Sequence, residues 1–279
     1  MIKLEDFKFQ LAKFKLKFMK FWRSENSKIS LIRDVLVAFL LVFIILLALW
    51  TYTGQWFGAP MVAIESGSMM HPNEPFGRIG TIDAGDMVFL VKVNKKADVV
   101  ANALEDSDTY QYWDYGDVIV YRPYGDENRD QIIHRAMAWV EYNEQYKTFT
   151  VEGYEEQNTN VTSINIPELS LNKYIPKNPH SGFITKGDNP FTNPTTDQEG
   201  GICDELIKVE WISGKARGEL PWIGTLNLIF NDIIGGKSTL QNVPSDSITC
   251  LIILIVVIVS IPISFDVYGY FKEKKKQSL

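Results

Sequence analysis

Two uncharged apolar runs bracket most of this 279-residue chain and limit what it can fold into. Val35 to Tyr52 (VLVAFLLVFIILLALWTY) has no charge over 18 residues. At about 1.5 Å per residue, that nearly crosses a hydrocarbon layer of roughly 30 Å. Ser247 to Phe265 (SITCLIILIVVIVSIPISF) is the second run, with Pro262 near its end and KEKKK soon after. We expect transmembrane helices over 31–53 and 247–266. A buried core helix is the alternative for the second. A secretory signal is the alternative for the first, but its apolar stretch is longer than a usual signal core. Its nearest small-residue pair, Gly58-Ala59, is also followed by Pro60, a poor position for cleavage, so a retained anchor is favoured.

Charge orients these spans. Nine Lys/Arg face three acids up to Arg33, and four Lys face one acid from Lys272 on, leaving 15 basic and 30 acidic residues between. Basic flanks on the outer ends of both runs put segments 1–30 and 267–279 in the cytoplasm and residues 54–246 outside. The acidic middle excludes a phosphate-backbone binder, so no nucleic acid partner is expected. Leu4, Phe7, Leu11, Phe14, Phe18 and Phe21 recur at spacings of three and four among lysines, as in a basic amphipathic helix lying on membrane lipids. A partner helix could use the same stripe.

Between the spans, segments 86–93, 117–123, 132–142, 147–153, 182–187 and 206–216 are rich in Val, Ile and aromatics and are bounded by Gly, Pro, Asp or Asn, as strands are. No long helical period interrupts them. The expected fold is therefore mainly β, an antiparallel barrel-like domain, with residues 94–114 and 154–181 as loops. Cys203 and Cys250 give no disulfide framework, and no zinc-type spacing exists, so neither cofactor nor metal is expected. Asn160-Val161-Thr162 is one glycosylation sequon on the outer side.

IESGSMMHP, residues 64–72, places Ser68 shortly after the first span. It is either a flexible turn or a nucleophile, and a serine hydroxyl needs a base to become one. His134, in IIHR, lies on an expected strand that can hold its ring rigidly. His71 is on the same turn as Ser68, where reaching back is hard, and His180, in KNPHSG, is in a loop. Lys186 is a rival base, but beside Asp188 it would tend to stay charged. Arg135 is expected as an ion-pair or surface residue.

Taken in order, ESGSMMHP, GDMVFLVKV, GDVIVYRP, IIHR, ITKGDNP with TTDQ, and GKARGELPWIG behind an amino-terminal anchor resemble the type I signal peptidases over most of residues 31–226. Histidine at position 134, where bacterial members have lysine, is similar to the archaeal and endoplasmic-reticulum kind. The resemblance implies Ser68 as nucleophile, His134 as general base, and Asp197 or Asp188 as the orienting acid. It also implies that Ser66 and Met69 contribute to the oxyanion and substrate site. Two departures stand out: His71 displaces the usual proline to Pro72, and the spacing from Asp188 to Asp197 is long. The resemblance further implies a membrane-bound serine endopeptidase that cuts signal peptides from exported pre-proteins after small residues. The translocation machinery would be a candidate partner. The location would be the cell membrane, or the endoplasmic-reticulum membrane in a eukaryote. A non-catalytic membrane-anchored β module for assembling secreted or surface proteins is the rival reading.

Overall fold

The computed structural model describes residues 4–277 and separates into two units, the second beginning at Thr53. In the first unit, α1 (Leu4–Trp22) and α2 (Ser27–Thr53) are divided by a short break at 23–26. Asn26 starts α2: its Oδ1 accepts from Lys28 N at 3.0 Å, satisfying one of the orphan donors of a helix start. Along α1, Leu11, Phe14 and Phe18 are exposed, as are the lysines between them, and Phe21 is half-buried. The side chains of Leu4 and Phe7 lie outside the described residues. At 27 residues, α2 is about 40 Å long, and its apolar window is unburied and long enough to cross a membrane.

The second unit is built on an antiparallel sheet of β1 (Met61–Ala63), β2 (Met87–Val91), β3 (Val118–Tyr121), β4 (Ile132–Asn143), β5 (Thr148–Val151), β8 (Gly182–Lys186) and β9 (Ile212–Leu220). Its order is β1-β2-β9-β3-β4-β5, with β8 also on β4. The long β4 takes three partners in turn: β3 along 132–135, β8 along 135–140 and β5 along 140–143. Its middle is buried on both faces, between a cluster around Ile119, Tyr121, Trp139 and Phe183 and another around Val140, Phe149, Ile166 and Ile184.

The expected barrel does not close. β1 and β5 stay at the two ends of the sheet, and helical residues outnumber strand residues, so the chain is mixed rather than mainly β. The physical reason lies in the segments that cover the sheet. Within the expected loop 154–181, a single helical turn α3 (Glu155–Asn158) leads into a hairpin of β6 (Ile164–Ile166) and β7 (Leu171–Tyr174). This hairpin buries Ile164, Ile166 and Leu171 against Phe149 and Val151 of β5 rather than bringing β5 to β1. α4 (Gly224–Gly235), an unexpected helix, lies beside β1. The expected strand 206–216 begins only at Ile212, because a 3-10 turn at Val209–Trp211 interrupts it.

The last helix, α5 (Ser245–Gln277), again has an apolar window long enough to cross a membrane. Only its first turns are held by the domain: Asp246 accepts from Gly77 N at 3.1 Å and Arg78 Nε at 3.2 Å, and Leu251 is buried. Asn160 is exposed on a turn with φ 55°.

Candidate active site

Ser68 sits on the loop that leaves β1. Ile64 is fixed to the neighbouring turn by bonds of 2.9 Å each way with Asp86 and Gly85, and Met69 is buried among Ile64, Ile82, Val88 and Val118. The Met69 side chain therefore plugs the core beneath the loop, and only its backbone is left to meet a substrate. Asn189 ties the loop down from the other side: its N–H donates to Ser68 O at 2.9 Å and its Nδ2 to Gly67 O at 2.7 Å. Ser66 Oγ donates to Ser68 Oγ at 3.3 Å. Among the described residues, nothing accepts a hydrogen bond from the Ser68 N–H.

His134 is buried in β4, opposite Ile119 of β3. Its Nδ1 lies 2.7 and 2.8 Å from the two carboxylate oxygens of the fully buried Asp197. Asp197 Oδ2 also accepts from Tyr121 OH and Thr185 Oγ1, both at 2.6 Å, and the Asp197 N–H donates to Thr185 O at 2.9 Å. A carboxylate held by this many donors stays where it is, and it selects the tautomer with hydrogen on Nδ1, leaving Nε2 as acceptor. Burial, and then the adjacent Asp197 charge, push the Tyr121 phenol well above its ordinary value, so it remains a donor. The Asn193 amide approaches Nε2 at 3.4 Å.

Gly187 explains how the loop and the ring come so close. A Cβ there would lie 2.6 Å from Ser68 O and 2.9 Å from His134 Nε2, so only glycine fits between them. Ser66, Ser68, His134 and Asn193 all border one groove of about 720 Å³, whose walls include Val62 to Ile64 of the β1 end and Ile132 and Ile133 of β4. Ser68 and His134 form no hydrogen bond in this arrangement: the serine is turned to Ser66 and the ring to Asn193.

Asp188 has a different post. It binds Arg135, whose Nε is 3.0 Å from Oδ1 and whose Nη2 makes a second contact, and it lies 3.3 Å from His71 Nε2 without hydrogen-bond alignment. Arg135 is not a surface residue. It is fully buried and donates to the carbonyls of Tyr112, Tyr115 and Gly116. Burial would raise the Asp188 carboxyl, but the contacts with His71 and Arg135 together hold it below the ordinary value. The same contact with Asp188 raises His71 against the opposing effect of burial. Asp188 thus braces the loop beyond Ser68 through its ion pair with Arg135 and makes no contact with His134, so it does not orient that ring. His180 faces the backbone carbonyls of Asn178 and Leu206, and Lys186 does not border the groove. Tyr121, Thr185, Asn189 and Asn193 are site residues that sequence reasoning missed.

No family model matches the chain, and no curated protein is significantly similar to it.

Proposed function

We propose that this chain is a membrane-bound serine endopeptidase that removes amino-terminal signal peptides from exported pre-proteins at the membrane surface. The observation that carries this reading is the buried His134–Asp197 pair, which leaves Nε2 facing the groove that also contains Ser68. In the proposed reaction, an extended peptide lies along the side of β1 that pairs with no other strand among the described residues. Ser68 Oγ rotates away from Ser66, attacks the scissile carbonyl and passes its proton to His134 Nε2. Asp197 stabilises the resulting imidazolium. The Ser68 N–H, with the Ser66 hydroxyl, donates to the oxyanion. His134 then protonates the leaving amine, and water hydrolyses the acyl-enzyme by the same base. Lys186 has no part in it.

Both apolar helices are proposed as spans, with termini in the cytoplasm and the sheet outside, in the cell membrane or its endoplasmic-reticulum equivalent. Signal peptides and lipids are the proposed partners, with the translocation machinery as their source. The missing Ser68–His134 bond favours the rival non-catalytic module, although catalytic bonds often tighten only around substrate. Incubating the detergent-purified chain with a pre-protein and weighing the products separates the two. The peptidase reading expects one cut behind a small residue at the end of the signal sequence, and an uncut pre-protein would reject it.

A further inference from the structure

We propose that the exposed face of α4, together with the 75–80 loop, is a foot that rests in the headgroup and upper acyl region of a lipid bilayer, around the point where α5 enters it. The inference deepens the proposed location of the site, and it rests on α5 spanning the membrane rather than on catalysis.

The helix itself raises the question. Leu228, on one side of α4, is buried against Ala84 and Val243, which meets its need for a core contact. Yet Leu226, Phe230, Ile233 and Ile234 recur at helical spacing on another side, and the last three are 64%, 75% and 82% exposed. Polar residues there would cost nothing in water. A contiguous apolar face of this kind marks a surface that is covered by something.

Two independent attachments tie α4 and the 75–80 loop to the first turn of α5. Ile248, in the first turn of α5, packs against the same cluster as Leu228. The 75–80 loop is bonded to Asp246 through Gly77 N and Arg78 Nε, and Trp222 Nε1, just before α4, donates to Gly77 O at 2.8 Å. Phe76 and Ile79, flanking those anchors, are 72% and 62% exposed. Thus two apolar protrusions, far apart in sequence, flank the first turns of one helix.

Continuity with α5 identifies the occupant. The domain releases α5 after Leu251, and from Ile252 to Phe265 the helix is apolar all round with no buried residue, as lipid contact requires and a single striped partner does not. The 75–80 loop is bonded to Asp246 and α4 shares its buried cluster with Ile248, so both halves of the foot are fastened to the turn of α5 that precedes this apolar stretch. An amphipathic face in this position inserts into the boundary layer. Asn227, on α4, and Lys237, just after it, border the groove with Ser68 and His134, so the foot sets the height of the groove above the lipid.

The test uses the full chain in liposomes of neutral and anionic phospholipid, in a Cys203→Ala, Cys250→Ala background of unchanged thermal stability. Nitroxide labels are placed at Ile234→Cys and Phe76→Cys, with Val256→Cys in mid-helix and Tyr146→Cys in the exposed β4–β5 turn as references. Collision rates with oxygen and with a water-soluble nickel complex are then read by electron paramagnetic resonance. The foot predicts oxygen-to-nickel ratios for 234 and 76 between those of Val256 and Tyr146. Ratios equal to that of Tyr146 would leave the face in water and overturn the proposal, as would shielding from both reagents, the mark of a protein cover. A water-like Val256 would overturn it together with the span. A failed cleavage assay would leave these ratios untouched.

Discussion

At the scale of single residues, His134 and Arg135 are neighbours on one strand, so their side chains leave opposite faces of the sheet. Each finds its own acid: Asp197 for the imidazole, Asp188 for the guanidinium. This division predicts two different defects. Asp197→Asn should keep the fold and lower turnover by up to about 10⁴-fold, because an amide can hold the wrong tautomer. Asp188→Asn leaves Arg135 buried without its counter-charge and should cost about 3 to 5 kcal/mol of stability, read as a shift in the denaturation midpoint. Gly187→Ala should abolish cleavage, since its methyl group would press on both Ser68 O and His134 Nε2. A Gly187→Ala protein with wild-type activity would mean that this close approach is not needed. Ser68 and His134 were singled out from an ordered set of motifs that left Asp197 and Asp188 open as the acid, and the structure puts the Asp197 carboxylate on the His134 ring. The post of Asp188 was not legible: Arg135 was expected as an ion-pair or surface residue with no partner named, and nothing local shows which face a strand buries. Asn193 and Tyr121 carry no motif at all. They join the site only because the fold brings 121, 134, 185, 193 and 197 together.

At the scale of elements, the strands of the sheet were legible where short stretches rich in Val, Ile and aromatics are bounded by turn residues, as in β2, β3 and β5. They were misread where the pattern crosses a turn: Leu206 and Ile207 are buried and Ile207 bridges Phe183, but the chain turns before β9. α4 went unseen because GTLNLIFNDIIG is only 12 residues long, begins and ends in glycine and carries Leu228 opposite its apolar stripe, which blurs its period. The junction between the 75–86 segment and α5 has a pH-dependent stability of its own. Burial first, with neighbouring acids adding to it, raises Asp83 to about 8, Asp86 to about 6 and Glu219 to about 7. Each carboxyl holds its proton more tightly folded than unfolded. Its contribution is therefore complete below about pH 4, the unfolded value, and is lost as pH rises through roughly 6 to 8. Thermal unfolding should accordingly fall in temperature from pH 5.5 to 8.5, and Asp83→Asn should flatten that slope. A profile that rises over the same interval would contradict the assignment.

At the scale of the whole molecule, two apolar helices flank an acidic segment in sequence, and the groove of that segment takes Asn227 of α4 and Lys237 just after it into its wall. The charge asymmetry predicts that a membrane-impermeant thiol reagent on intact cells will label a cysteine placed at residue 160 and spare one at residue 20; the reverse would invert the topology. The measurement that bears most directly on the central claim is cleavage of a liposome-embedded pre-protein by the wild-type chain and by Ser68→Ala, with matched circular dichroism and thermal unfolding. A Ser–His–Asp peptidase predicts that cleavage disappears in Ser68→Ala while folding is unchanged. Cleavage within about two-fold of wild type would contradict it and leave Ser68 as a residue of an ordinary turn.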